Sequence, residues 1–256
     1  MKHHAAVPGE WFELLVVVLG ALLICIYYFL ERNRIDWLSY RILLWATGVS
    51  FAVISLAGPI AEQAHADFSM HMTVHLLLGM LSPLFLVLAK PAELIIKTLP
   101  VKAARKLTGW MKSSRYLQLI HMPAVGAILN IGGLFLLYRT GLFSLMHESL
   151  PVYLLVHLHV FLAGYLFTHL ILAVDFVPRR YSFFHRATVL VLTLAAHKIL
   201  SKVIYASPPE GIEKAAGEQG AMLMYYGGDL IDLAIIILIC YGWYRNRQRK
   251  YAFSTG

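Results

Sequence analysis

Charge is scarce in this 256-residue chain: Asp, Glu, Lys and Arg make up 14% of it, against 59% hydrophobic residues. A water-soluble domain carries roughly a quarter charged residues, so the composition places the chain in a membrane. Cysteine is nearly absent. Cys25 and Cys240 lie in separate apolar runs and not in a CxxC pair, which excludes a thiolate zinc site and argues against a disulfide. The apolar runs lack period-two alternation, which excludes a transmembrane β-barrel. There is no internal repeat. No cleavable leader is expected, because the first apolar run follows K-H-H-A-A-V-P-G-E-W-F-E and leads straight into further runs.

What is present is a series of long apolar stretches. A span takes about 20 mostly apolar residues. The sequence predicts spans at about 14–30, 42–60, 71–89, 117–138, 151–174, 187–207 and 229–244. The expected fold class is therefore all-α: one polytopic bundle of seven transmembrane helices over 1–256. Between the third and fourth spans, Val101, Ala104, Leu107 and Trp110 recur at helical spacing with Lys102, Arg105, Lys106 and Lys112 among them. This pattern predicts a basic amphipathic helix within 91–116, lying on membrane lipid or docking a partner.

The basic residues are distributed unevenly. Arg32, Arg34 and Arg41 follow the first run. Lys90, Lys97, Lys102, Arg105, Lys106, Lys112 and Arg115 follow the third. Arg179, Arg180 and Arg186 follow the fifth, and Arg245, Arg247, Arg249 and Lys250 close the chain. The other side has only Lys2, Arg139 and Lys214. The positive-inside rule then puts the C-terminus in the cytoplasm and the N-terminus outside. The formal charge of +8 belongs to topology and anionic lipid, and no nucleic-acid partner is expected.

Polar residues inside apolar runs are the candidate functional groups, because each is costly in hydrocarbon without a partner. The stretch Met70 to Pro91, M-H-M-T-V-H-L-L-L-G-M-L-S-P-L-F-L-V-L-A-K-P, holds His71 and His75 one turn apart on one helix face. Two such imidazoles can reach one metal ion, and the thioethers of Met72, Met222 and Met224 would favour Cu(I). His157 and His159 fall in the outer half of the fifth run. Being two apart, they point in different directions on a helix, and either one can join His71 and His75. Asp229 and Asp232 share a face, where they can orient a histidine or pair with Lys198 or Lys202. Pro83, near Gly79, should kink the third helix and shape its packing. No catalytic constellation is expected.

The stretch from His71 to Pro91 resembles the signature of the CtaG family of cytochrome c oxidase assembly factors, the multi-span type of Gram-positive and related bacteria. H-L-H-V-F-L-A-G-Y-L-F (His157 to Phe167), D-F-V-P-R-R-Y-S (Asp175 to Ser182) and E-Q-G-A-M-L-M-Y-Y-G-G-D-L (Glu218 to Leu230) are similar to it too. The family pattern falls on His71, His75, Pro83, Pro91, Gly164, Gly220 and Met222. The segment G-E-Q-G-A-M departs from the family's D-Q-Q-x-G-G. The resemblance implies a multi-pass bacterial inner-membrane protein that acts with cytochrome c oxidase subunits, and a role in building the oxidase copper centre. Two alternatives fit the same residues. One is a haem-binding electron carrier with histidines paired across helices. The other is a proton-coupled transporter; a retinal Schiff base is excluded, since the seventh span has no lysine.

Overall fold

The computed structural model describes residues 9–32 and 40–254; Lys2 and Arg34, which enter the charge count, lie outside them. Every element among the described residues is helical. The long helices are α1 (Glu10–Arg32), α2 (Tyr40–Leu56), α9 (Pro123–Arg139), α11 (Leu150–Leu172), α12 (Phe183–Ala206) and α13 (Lys214–Ser254). Shorter pieces join them: α3 (Pro59–Ala64), α4 (Phe68–Leu76), a π-helical segment (Leu77–Leu81), α5 (Ser82–Ala89), α6 (Pro91–Thr98), α7 (Val101–Ser113), α8 (Arg115–Ile120) and α10 (Leu142–Glu148). The path from α4 through α5 forms the centre of the bundle, with α2, α11 and α13 packed on it and α9 and α12 behind.

Seven spans are expected from the sequence. By length and composition the described residues supply five, or six if α9 and α10, bent by 77°, count as one. Two local features explain the difference. The fourth apolar run is cut at Met122–Pro123, where Met122 is extended ahead of the proline; this separates α8 and leaves α9 at 17 residues. Helix α2 is also only 17 residues long.

Proline also shapes the central helix. The sequence predicts a kink at Pro83, and the disruption takes the form of the π segment just before it. Pro83 has no N–H for the carbonyl of Gly79, and the chain widens into a π turn, a feature common at functional sites. Small residues let neighbouring helices approach this point. Ser82 Oγ donates to the carbonyl of Gly48 at 2.7 Å, joining α5 to α2. A Cβ on Gly164 would lie 2.0 Å from the carbonyl oxygen of Gly79, so α11 crosses the π segment backbone against backbone.

Helix α5 ends at Lys90 in the left-handed conformation, φ 57°, and Pro91 starts α6. Asp175, 2% exposed, caps that start: Ala92 N–H donates to Oδ2 at 2.9 Å and Glu93 N–H to Oδ1 at 2.7 Å. Phe176 N–H donates to the same Oδ1. Asp175→Ala removes the acceptor for all three. At about 1–3 kcal/mol for each buried group left unpaired, it should lower the thermal midpoint in detergent clearly more than Asp67→Ala, which removes the single exposed bond to Ser69 N–H.

Helix α7 has no buried side chain, and Val101 and Trp110 on it are exposed. Of the apolar face expected from the sequence, Val101 and Trp110 remain uncovered while Ala104 and Leu107 are half-buried.

Candidate metal-binding site

The site is built on α4. Asp67 Oδ1 accepts from Ser69 N–H at 2.7 Å and fixes the start of the helix. The helical period then puts His71 and His75 on the face turned into the bundle, each 5% exposed. His71 Nε2 shares a 3.1 Å hydrogen bond with the hydroxyl of Tyr138 on α9. Neither ring nitrogen of His75 has a hydrogen-bond partner. His157, from α11, is buried beside them. Its Nδ1–H donates to the carbonyl of Tyr153 at 2.9 Å, so in the neutral ring Nε2 keeps its lone pair. A histidine oriented through one nitrogen by a carbonyl and bare at the other is the usual form of a metal ligand.

Three small cavities run end to end through these residues. His71, His75 and His157 line one of about 10 Å³. An adjoining cavity, also about 10 Å³, shares His71 and His157 and reaches His65 and His147. A third, about 20 Å³, shares His75 and reaches His197 and Asp232. Ring separations follow the same path: His65 to His147 6.2 Å, His147 to His71 6.3 Å, His75 to His197 6.0 Å. At the His65 end of this track, burial and the nearby His147 lower the pKa of His65 below its ordinary 6.5.

The other residues singled out in the sequence occupy different places. His159 turns away from His157: its Nε2–H donates to the carbonyl of Leu129 at 3.1 Å, in space that Gly133 leaves open. Met72 and Met224 pack fully buried in the core with Phe68 and Leu200. Met222 is 45% exposed, on the outside of α13. Asp229 forms an ion pair with Lys198 at 2.8 Å; Asp232, one turn on, is buried in the third cavity. Lys202 is exposed, with its ammonium 6.0 Å from the ring centre of Tyr225. Among the described residues no three His, Cys, Asp or Glu side chains are gathered tightly enough to form a ready-made metal centre.

His197 and Tyr138 are functional candidates that the sequence reading passes over. A signal for His197 exists: Thr193, His197 and Ser201, four apart, are all buried, a polar stripe on one face of α12. Tyr138 carries no such signal. It is one aromatic in an aromatic-rich run, and only the fold brings it to His71.

Chemically, the arrangement holds lone-pair nitrogens in apolar surroundings, with room between them for about one water or small ion. Imidazoles so placed suit a borderline or soft cation at low coordination number.

The family model for the cytochrome c oxidase caa3 assembly factor (Caa3_CtaG) matches residues 21–246. An uncharacterized protein of Mycobacterium bovis is 29% identical over 180 residues, covering 66% of this chain and 26% of the relative. One of Mycobacterium tuberculosis matches to the same extent. One of Mycobacterium leprae is 26% identical over 193 residues, 71% of this chain and 28% of the relative. The chain thus spans about a quarter of the length of these relatives. No solved structure matches it.

Proposed function

The chain belongs to the cytochrome c oxidase caa3 assembly factor family, and from that premise we propose that it is a non-catalytic copper-handling factor that holds Cu(I) on His71, His75 and His157 for delivery to the oxidase. The observation that carries this reading is the cavity of about 10 Å³ lined by those three buried imidazoles, with both nitrogens of His75 unpartnered. Burying an unpaired polar group costs about 1–3 kcal/mol, and a bound ion removes that cost. An ion with only two or three nitrogen ligands is held loosely enough to be passed on. We assign no ligand role to the thioethers, since Met72 and Met224 are core packing. A haem between paired histidines is disfavoured: the cavities that two histidines share hold only 10–20 Å³, and the larger space of about 570 Å³ beside His157 offers no second histidine among its lining residues.

We read the chain as a multi-pass protein of the bacterial cell membrane. Helix α2, at 17 residues, is just long enough to cross with its ends snorkelling, and with the bent α9–α10 unit it completes seven spans. The charge distribution places the N-terminus outside, the His65 end of the bundle outward, and the basic helix α7 against the inner leaflet. The partners are then oxidase subunits on the outer side and anionic lipid on the inner side.

Metal analysis tests the reading. Purified wild-type protein loaded with Cu(I) and desalted should retain copper, while His75→Ala should retain little and His71→Ala clearly less than wild type. Equal, near-zero copper in all three would remove the proposal.

A further inference from the structure

The third cavity is not needed for the site just described, yet it is built like one. It lies where the π segment, α12 and α13 meet α9 and α11, and it is lined on its polar side by His75, His197, Asp232, Thr168, Thr193 and Asn130. Two of its histidines are unsatisfied: His75 at both ring nitrogens and His197 at Nε2, each ring 5% exposed. Their ring centres are 6.0 Å apart. The rings lie nearly parallel, 26° apart, and imidazole lone pairs lie in the ring plane, so a turn of one ring about its side-chain bonds is what brings nitrogens of both onto one ion with bonds of about 2 Å. The backbone makes room for His197. A Cβ on Gly228 would come within 2.9 Å of His197 Cε1, so the glycine is what lets that ring stand beside α13. Among the described residues, two near-parallel imidazoles with three unpartnered ring nitrogens and a buried carboxyl group thus surround about 20 Å³ of space.

We propose that this chamber is a second, inner cation station, in which His75 and His197 hold one Cu(I) between them, and that His75 is shared with the outer histidine cluster and passes the ion between the two. The inference rests on the copper reading and adds to it a second ion and a further ligand, His197, beside the outer cluster of His71 and His157. The two stations are adjacent along one helix, so transfer requires only that the His75 ring turn from one cavity to the other. His75 forms no hydrogen bond that would oppose such a turn.

The test is a Cu(I) titration of the full detergent-purified chain against a chromophoric chelator. Wild type should bind two Cu(I), and His197→Gln and His157→Gln one each. Gly228→Ala, which keeps every ligand but crowds the His197 ring, should weaken the second ion at least about tenfold and leave the first unchanged. It guards against a misfolded His197 variant. Wild type binding a single Cu(I) that His197→Gln retains overturns the inner station while the outer copper site survives; a single Cu(I) that His197→Gln loses and His157→Gln keeps overturns the two-station arrangement and the outer site with it. Two ions in both wild type and His197→Gln overturns it as well. No copper on wild type removes both readings together.

Discussion

Gly164→Ala should be among the most damaging single substitutions in the chain. The added Cβ would sit 2.0 Å from the Gly79 carbonyl oxygen, far inside van der Waals contact. The obstacle is backbone, so no side chain can rotate away, and α11 must move off the π segment. Overpacking that side chains can absorb costs about 1–3 kcal/mol; a forced backbone separation should exceed that range, against a total stability of about 5–15 kcal/mol. The shift would also pull His157 away from His71 and His75, since all three sit on the crossing elements. The measurement is thermal unfolding and monodispersity in detergent. Gly109→Ala is the control: a Cβ there meets nothing within 4 Å, and the substitution should be neutral or slightly stabilising through helix propensity. A Gly164→Ala chain as stable as wild type would show that the two helices do not meet at this crossing.

The second large effect should be seen in cells. In a strain lacking its own copy, a chain carrying His71→Gln, His75→Gln and His157→Gln should accumulate at wild-type level but leave cytochrome c oxidase activity at least tenfold lower. Glutamine keeps most of the side-chain volume, so core packing is largely retained while the imidazoles are lost. Changing groups that merely orient a ligand costs about 10–100-fold in metal affinity or activity, and removing three ligands should cost no less. Full oxidase activity in this variant would mean that the chain acts by docking alone.

The class of the fold is legible from composition and from the length of the apolar runs, because hydrocarbon leaves helices as the alternative to a closed barrel. The placing of His71 and His75 on one helix face follows from spacing alone; that this face is buried is a matter of packing. What the sequence leaves open depends on three-dimensional contacts. Between His157 and His159 the choice is made by the direction in which α11 faces α4, with Gly133 receiving the second ring. The pairing of Asp229 with Lys198, and not with Lys202, depends on how α12 and α13 pack. Apolar runs also overstate continuity. Pro123 splits the fourth run although hydropathy passes straight over it, and Pro83 is absorbed by a π turn in place of a plain kink. The seventh run extends backward to Lys214 as one helix, because Gly217, Gly220, Gly227 and Gly228 read as breaks in a sequence but serve here as contact points for Pro208, Phe68, Leu76 and His197.

The central claim is that buried imidazoles, and not thioethers or surface groups, hold copper. X-ray absorption at the copper edge of the Cu(I)-loaded, purified chain tests it most directly. The account predicts two or three nitrogen neighbours at about 2 Å, with the outer-shell scattering of imidazole rings and no sulfur. A sulfur shell, or light-atom neighbours without the imidazole signature, would contradict it.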